Sequence, residues 1–230
     1  MKRILIATIM LISSFSMASA EFMITGFNVG VSGTAGVFHA EGQEVISNTA
    51  GTAKRTNNED ATAGVGFGSI FIEKTLPGAA SRMAIGLDYV PSSLSSETAQ
   101  NNRNDKTTAA AQAFTAVTNE IKLDFDDLTT LYLTLNVTDG LYLKAGVMQV
   151  DVKTKETLGT GSTYKDFTLN GSMGAVGYNH NFDNGMFARA EASYMDFENK
   201  SLVSDTNSDN SISMNSLVGG AARLSIGKSF

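Results

Sequence analysis

Ser216-Leu217-Val218-Gly219-Gly220-Ala221-Ala222-Arg223-Leu224-Ser225-Ile226-Gly227-Lys228-Ser229-Phe230 is the stretch that decides the fold. Its even positions from 218 carry Val218, Gly220, Ala222, Leu224, Ile226, Lys228 and Phe230, mostly apolar, and its odd positions carry Leu217, Arg223 and otherwise small or polar residues. Period-2 alternation of this kind belongs to a strand lying between two different environments. A strand that runs to a terminal aromatic residue is unusual for a soluble domain, where ends tend to fray. The expectation is a strand with lipid on one face and a polar interior on the other.

The first residues point the same way. Met1-Lys2-Arg3 is positive, Ile4 to Met17 is mostly apolar, and Ala18-Ser19-Ala20 is a small-residue cleavage site. This is the pattern of a secretory signal peptide spanning residues 1–20 and cut after Ala20. It is shorter than the roughly 20 apolar residues of a spanning helix. Residues 21–230 are then expected to form one domain. Loss of Lys2 and Arg3 takes the net charge from −6 to −8, so an acidic chain remains and no nucleic-acid partner is expected. The absence of cysteine excludes disulfides, thiolate metal sites and cysteine nucleophiles.

Eight alternating segments can be read: about 27–40, 63–75, 82–90, a fourth ending near Val137, 141–153, 167–182, 188–194 and 216–230. Three connections are tight: Leu76 to Ser81, Thr138-Asp139-Gly140 and Asp183-Asn184-Gly185. Asp or Asn followed by Gly is hairpin chemistry. The other four are long and polar, about 41–62, 91–119, 154–166 and 199–212. Nothing after Ala20 reads as a spanning helix, and a membrane protein without one must be a closed barrel. The expected fold is all-β, an eight-stranded antiparallel up-and-down transmembrane β-barrel, closed by its first and last strands. In the sixth segment Met173 and Ala175 favour one face while Val176 and Tyr178 favour the other, which suggests a bulge near Gly177. Gly64, Gly66 and Gly68 follow strand period with no helix after them, and read as small interior residues rather than a phosphate loop.

The combination of leader, eight strands, alternating short and long connections and terminal Phe230 resembles the small outer-membrane barrels of the OmpA/OmpX and opacity-protein type. The resemblance covers residues 21–230. It implies residence in the bacterial outer membrane, with the lipid bilayer as partner and the barrel-assembly machinery as a partner during biogenesis. It also implies that Phe230 acts as the assembly signal.

Candidate sites are few. Asp88, Lys144, Arg189, Glu191 and Arg223 fall opposite the apolar face and are expected to form a lumen charge network. In an eight-stranded barrel side chains fill the interior, so Arg189 or Arg223 should meet Glu191 or Asp88 and leave no continuous water column. His39 and His180 are the two histidines. Neither has the partners of an outer-membrane hydrolase around it, so no catalytic residue and no enzymatic activity are expected. Asp205, Asn207 and Asp209 space oxygen ligands like the start of a calcium loop. Asn210 stands where that loop has glycine and Ser216 where it has a bidentate Glu, so a polar loop is expected and no metal is assigned. Glu120, Lys122, Asp124 and Asp126 share a face and read as a salt-bridged extension of the wall. The alanine-rich stretch from Thr107 to Val117 favours helix by propensity. No cofactor is expected. The function that fits is a non-enzymatic envelope barrel presenting long loops. Its alternatives are a narrow pore for ions or small solutes and an adhesin or surface receptor, whose extracellular ligand the sequence does not identify.

Overall fold

A computed structural model describes residues 26–47, 54–96, 98–105, 115–206 and 208–230. The leader and its cleavage site lie outside these residues, as do Asn207 and most of the alanine-rich stretch. Val117, the last residue of that stretch, lies in a strand.

Eleven strands follow in chain order: β1 (Phe27–Ser47), β2 (Lys54–Thr75), β3 (Met83–Tyr89), β4 (Leu94–Ser95), β5 (Ala99–Asp105), β6 (Thr115–Asn136), β7 (Leu141–Thr157), β8 (Phe167–Asn181), β9 (Met186–Phe197), β10 (Lys200–Val203) and β11 (Ser211–Ser229). They form an antiparallel ring of eight staves, because β3, β4 and β5 run in succession beside β6, and β9 and β10 beside β11. β1 pairs with β11 from Asn28↔Ser229 to Val45↔Ser211 and closes the ring. At the seam Phe230 N–H donates to the Phe27 carbonyl at 2.8 Å.

The short connections gather at one end. Gly78 (φ 67°) and Gly185 (φ 79°) take the left-handed backbone that two of these turns require. Thr138 Oγ1 accepts the Leu141 N–H at 2.9 Å in the third. The third stave breaks at Val90-Pro91, where proline cannot donate to a ladder. Opposite the break, β6 carries an irregularity between Asp126 and Thr129, with Asp127 at φ 56° and its carboxylate bonded to the Tyr89 hydroxyl.

The two faces of the wall exchange character along its length. Toward the short-turn end the outward residues are apolar, among them Val29, Val31, Leu133, Leu143, Val176, Tyr178, Leu224 and Ile226. Val29 to Val37 and Val218 to Ile226 are nine residues each. At ~3.3 Å per residue and a tilt of about 40°, such a run stands roughly 23 Å tall. Inside the same half lie Glu73, Asp88, Lys144 and Glu191, all buried. Toward the long-loop end the pattern inverts. Met148, Val150, Val152, Leu169, Met173, Met195, Phe197 and Leu217 form one apolar core inside the ring. Outside it stand charged residues such as Lys153 and Lys155.

This inversion accounts for the departures on β1 and β8, and β2 departs for another reason. β1 continues to Ser47 and β2 begins at Lys54, so most of the expected first long loop is strand. β8 has no bulge near Gly177; its ladders to β7 and β9 run unbroken. Met173 points into the upper core while Val176 and Tyr178 point outward lower down, so both preferences hold on one regular strand. Gly64, Gly66 and Gly68 face outward, and Phe67 and Phe71 fill the interior.

Inward glycine has a different use at Gly177 and Gly86. A Cβ at Gly177 would come within 2.3 Å of the Tyr142 ring, and one at Gly86 within 2.3 Å of the Tyr132 ring. The rings lie flat over the neighbouring backbone and fill the narrow interior. Gly177→Ala should therefore cost about 1–3 kcal/mol through overpacking. Urea unfolding in lipid vesicles, followed by circular dichroism, reads that loss; an unchanged midpoint would show that the ring moves aside freely.

Candidate functional site

The short-turn half of the lumen holds three acids, Glu73, Asp88 and Glu191, and three bases, Lys144, Arg189 and Arg223, brought together from five staves. Alternation along each strand aims them inward, and register stacks them in layers. Arg189 on β9 holds Glu73 on β2 with both ends of its fork, at 2.6 and 2.7 Å. Its Nε donates to Asn179 Oδ1 at 2.9 Å, and its guanidinium lies over the Phe187 ring at 4.5 Å. Glu73 also accepts from the Tyr132 hydroxyl at 3.0 Å and from Asn28 at 3.3 Å. This saturated carboxylate is 1% exposed.

In the neighbouring layer Arg223 on β11 reaches Asp88 on β3 at 2.8 Å and donates through Nε to Thr34 at 3.0 Å. Ser69 donates to the same carboxylate at 2.9 Å. Lys144 on β7 forms a close ion pair with Glu191 on β9. The Tyr142 hydroxyl adds a hydrogen bond to Glu191 at 2.9 Å, and the Lys144 ammonium sits 4.5 Å from the Tyr132 ring centre.

Of the five residues expected here, Asp88 and Arg223 meet each other, and Lys144 meets Glu191. Arg189 does not meet Glu191 or Asp88; its acid is Glu73, which the sequence reading did not place in the lumen. That reading set Phe67 and Phe71 toward lipid, which would have put Glu73 there too. The signal was Glu73 itself, since an acid at the end of an apolar strand belongs on the wet face.

Chemically the network is a neutral, cross-linked plug. Each carboxylate is bound to a cation, and each cation is held by hydrogen bonds or aromatic faces. Two buried oxygens, Thr134 Oγ1 and Glu191 Oε1, have no hydrogen-bond partner among the described residues. No base stands beside a nucleophile in it. His39 is exposed at the outer wall, bonded to Thr62 at 3.0 Å with Glu41 at 3.8 Å. His180 lies edge-on to Phe182 near the short turns.

At the long-loop end, Asp124 pairs closely with Lys155, with Lys122 at 4.0 Å, and Asp126 pairs with Lys153 at 2.5 Å. The Asp124–Lys155 and Asp126–Lys153 pairs are diagonal cross-strand contacts on the outer face of β6 and β7, while Lys122 and Asp124 are neighbours along β6. Asp205 is 3.3 Å from Lys165. The loops 158–166 and 204–210 are tied together, Asp205 N–H to the Thr163 carbonyl at 2.9 Å and Asn210 to Ser162 at 2.8 Å. Among the described residues no group of three or more His, Cys, Asp or Glu is arranged to hold a metal.

No family model matches the chain, and no curated protein matches it. Solved barrels are similar in architecture. OprG, an outer membrane protein of Pseudomonas aeruginosa, shares 12% identity over 90% of this chain and 97% of its own, with a TM-score of 0.47. The outer membrane protease OmpT of Escherichia coli shares 12% over 94% and 99%, at 0.49. The attachment invasion locus protein Ail of Yersinia pestis shares 11% over 86% and 99%, at 0.36. The likeness is one of fold.

Two predictions arise. Glu73→Gln leaves the Arg189 guanidinium buried and unpaired, and should cost about 3–5 kcal/mol. The double variant Glu73→Met with Arg189→Met should recover most of that in urea unfolding, because it removes both charges. The outer ladder gives a pH dependence. Hydrogen bonding to Lys155 holds Asp124 below the ordinary carboxylate range, and bonding to Lys153 does the same for Asp126. A carboxylate lowered by folding contributes stability above its unfolded pKa of roughly 4, and that contribution is lost as pH falls through the folded value. Lys153 is raised by Asp126, so its contribution is lost as pH rises past roughly 10. Asp126→Asn should flatten both limbs of a stability–pH curve.

Proposed function

We propose that this chain is a non-enzymatic integral protein of a bacterial outer membrane, which contributes to envelope structure and holds its long-loop end outside the cell. The observation that carries this reading is the inversion of wall polarity. A belt of outward apolar side chains roughly 23 Å tall matches the ~25 Å apolar band of transmembrane barrels, and it coincides with the polar, ion-paired half of the lumen. The apolar interior and charged exterior above it suit a wall that stands in water. On this reading the chain is made with a leader that is cleaved after Ala20, and the assembly machinery recognises the terminal strand with Phe230. Phe230 is half exposed on the outward face, with the Lys228 ammonium 5.7 Å from its ring centre.

The side chains that cross the lumen support a structural role over a pore. Tyr132 and Tyr142 are almost fully buried across it, and three ion pairs bridge its staves. Surface recognition is a second reading, favoured by one feature. The loops 158–166 and 204–210 hydrogen-bond to each other, and a pre-organised surface loses less entropy when it binds.

Purified protein in planar bilayers should show little or no steady conductance. Stable channels of porin size would overturn the structural reading in favour of transport. Separately, Phe230→Asp places a charge at the edge of the apolar belt, and protease-sensitive protein should accumulate in the periplasm. Normal surface levels of this variant would contradict the role given to Phe230.

A further inference from the structure

The wall carries one long strand edge that pairs with nothing among the described residues. β2 meets β3 only from Ile70↔Tyr89 to Thr75↔Ala84. Beyond Tyr89 the third stave leaves β2, since Leu94 and Ser95 pair with β6 and Ala99–Asp105 do the same. Thr56 to Ser69 of β2 therefore ladder on one side only, to β1.

Hydrogen-bond direction identifies the groups left facing this gap. Thr75 N–H donates to Gly26 on the β1 side, while Leu76 N–H donates to Met83 on the β3 side. The β1–β2 register runs without a shift from Phe27↔Lys74 to Ser47↔Lys54. Amides alternate sides along a strand, so the N–H and C=O of Thr56, Asn58, Asp60, Thr62, Gly64, Gly66 and Gly68 point into the gap. Residues 58–64 are exposed on both faces. A bare edge of this length is a template for another strand.

We propose that the β2 edge is a strand-addition site for an extended, proline-free segment of a partner polypeptide, basic where it passes the acidic end of the β1–β2 hairpin. Register places Gly64 beside Val37 at the top of the apolar belt, so main-chain bonds to Thr56, Asn58, Asp60 and Thr62, which stand above it, would supply affinity. Glu41, Glu44, Glu59 and Asp60 outnumber Lys54 and Arg55 along the hairpin and select positive side chains. A second copy of the barrel does not fit as occupant. Strands tilt about 40° in the same sense in every such barrel, so the walls of two neighbours cross at roughly twice that angle instead of aligning. The site does not depend on which envelope role the barrel serves.

The test uses the folded barrel in lipid nanodiscs and a synthetic probe of about ten alternating lysines and valines, the length of a spanning strand. Its control has the same composition with two central residues replaced by proline. Amide hydrogen exchange should slow by about tenfold or more at Asn58, Asp60 and Thr62 with the probe, and not with the control. Thr62→Pro removes an N–H that faces the gap and leaves the β1 ladder intact, so the barrel should fold and lose the protection. Asp60→Lys should weaken the lysine probe and admit a glutamate–valine one. The proposal is overturned by absence of added protection, by equal binding of the proline control, or by full binding to Thr62→Pro. It is equally overturned if these amides exchange slowly in the free barrel, since the edge would then be covered already.

Discussion

Pairing of β1 with β11 is the constraint from which the rest follows. Closing a ring at eight staves leaves an interior no wider than the side chains that point into it. Every inward position then has to be filled and every buried charge matched. Arg189 with Glu73, Arg223 with Asp88 and Lys144 with Glu191 are what such a width allows. Taking two charges out of water costs several kcal/mol per ion, and only close geometry with further hydrogen bonds offsets that. The extra bonds from Tyr132, Asn28, Ser69, Thr34 and Tyr142 meet this need. Tyrosine rings lying over glycine backbone take up the space between the layers.

The ion pairs also tie staves that are far apart in sequence. Arg189 and Glu73 are separated by 116 positions, and Arg223 and Asp88 by 135. Each pair therefore acts as a register lock across the lumen. Slipping one strand by a residue would turn its charge toward the outer face. The network specifies which strand sits where, whatever its net worth in stability.

Much of this was legible from period-2 alternation, because β6, β7, β9 and β11 carry apolar residues on one face throughout their lower halves. The short turns were legible from Asp-Gly and Asn-Gly chemistry. What alternation concealed was the change of environment along a single strand. Met173 and Val176 both obey their surroundings, but one surrounding is a dry core and the other an outer wall. A reader who assumes one inside and one outside for the whole strand has to invent a bulge between them. The same assumption cut β1 short at the residue where its outer face becomes polar. On β2 the reading gave the small glycines to the interior, which turned Phe67 and Phe71 outward and hid Glu73. The pairing of Arg189 with Glu73 rather than Glu191 needed the stagger between strands, which no single strand encodes.

The apolar cluster in the long-loop half has a thermal consequence. Met148, Val150, Leu169, Met195 and Phe197 are shielded from water by a wall whose outer face is wet. Their burial is driven as in a soluble protein, by a term that is mainly entropic near room temperature and weakens on cooling. In the lower half the residues on the outer face meet apolar neighbours, and cohesion comes from ladders and ion pairs, which lack that dependence. One continuous set of strands thus spans two thermodynamic regimes. Cooling loosens the upper rim relative to the lower ring, and the break at Pro91, opposite the irregularity at Asp127 of β6, marks where the third stave passes from one to the other.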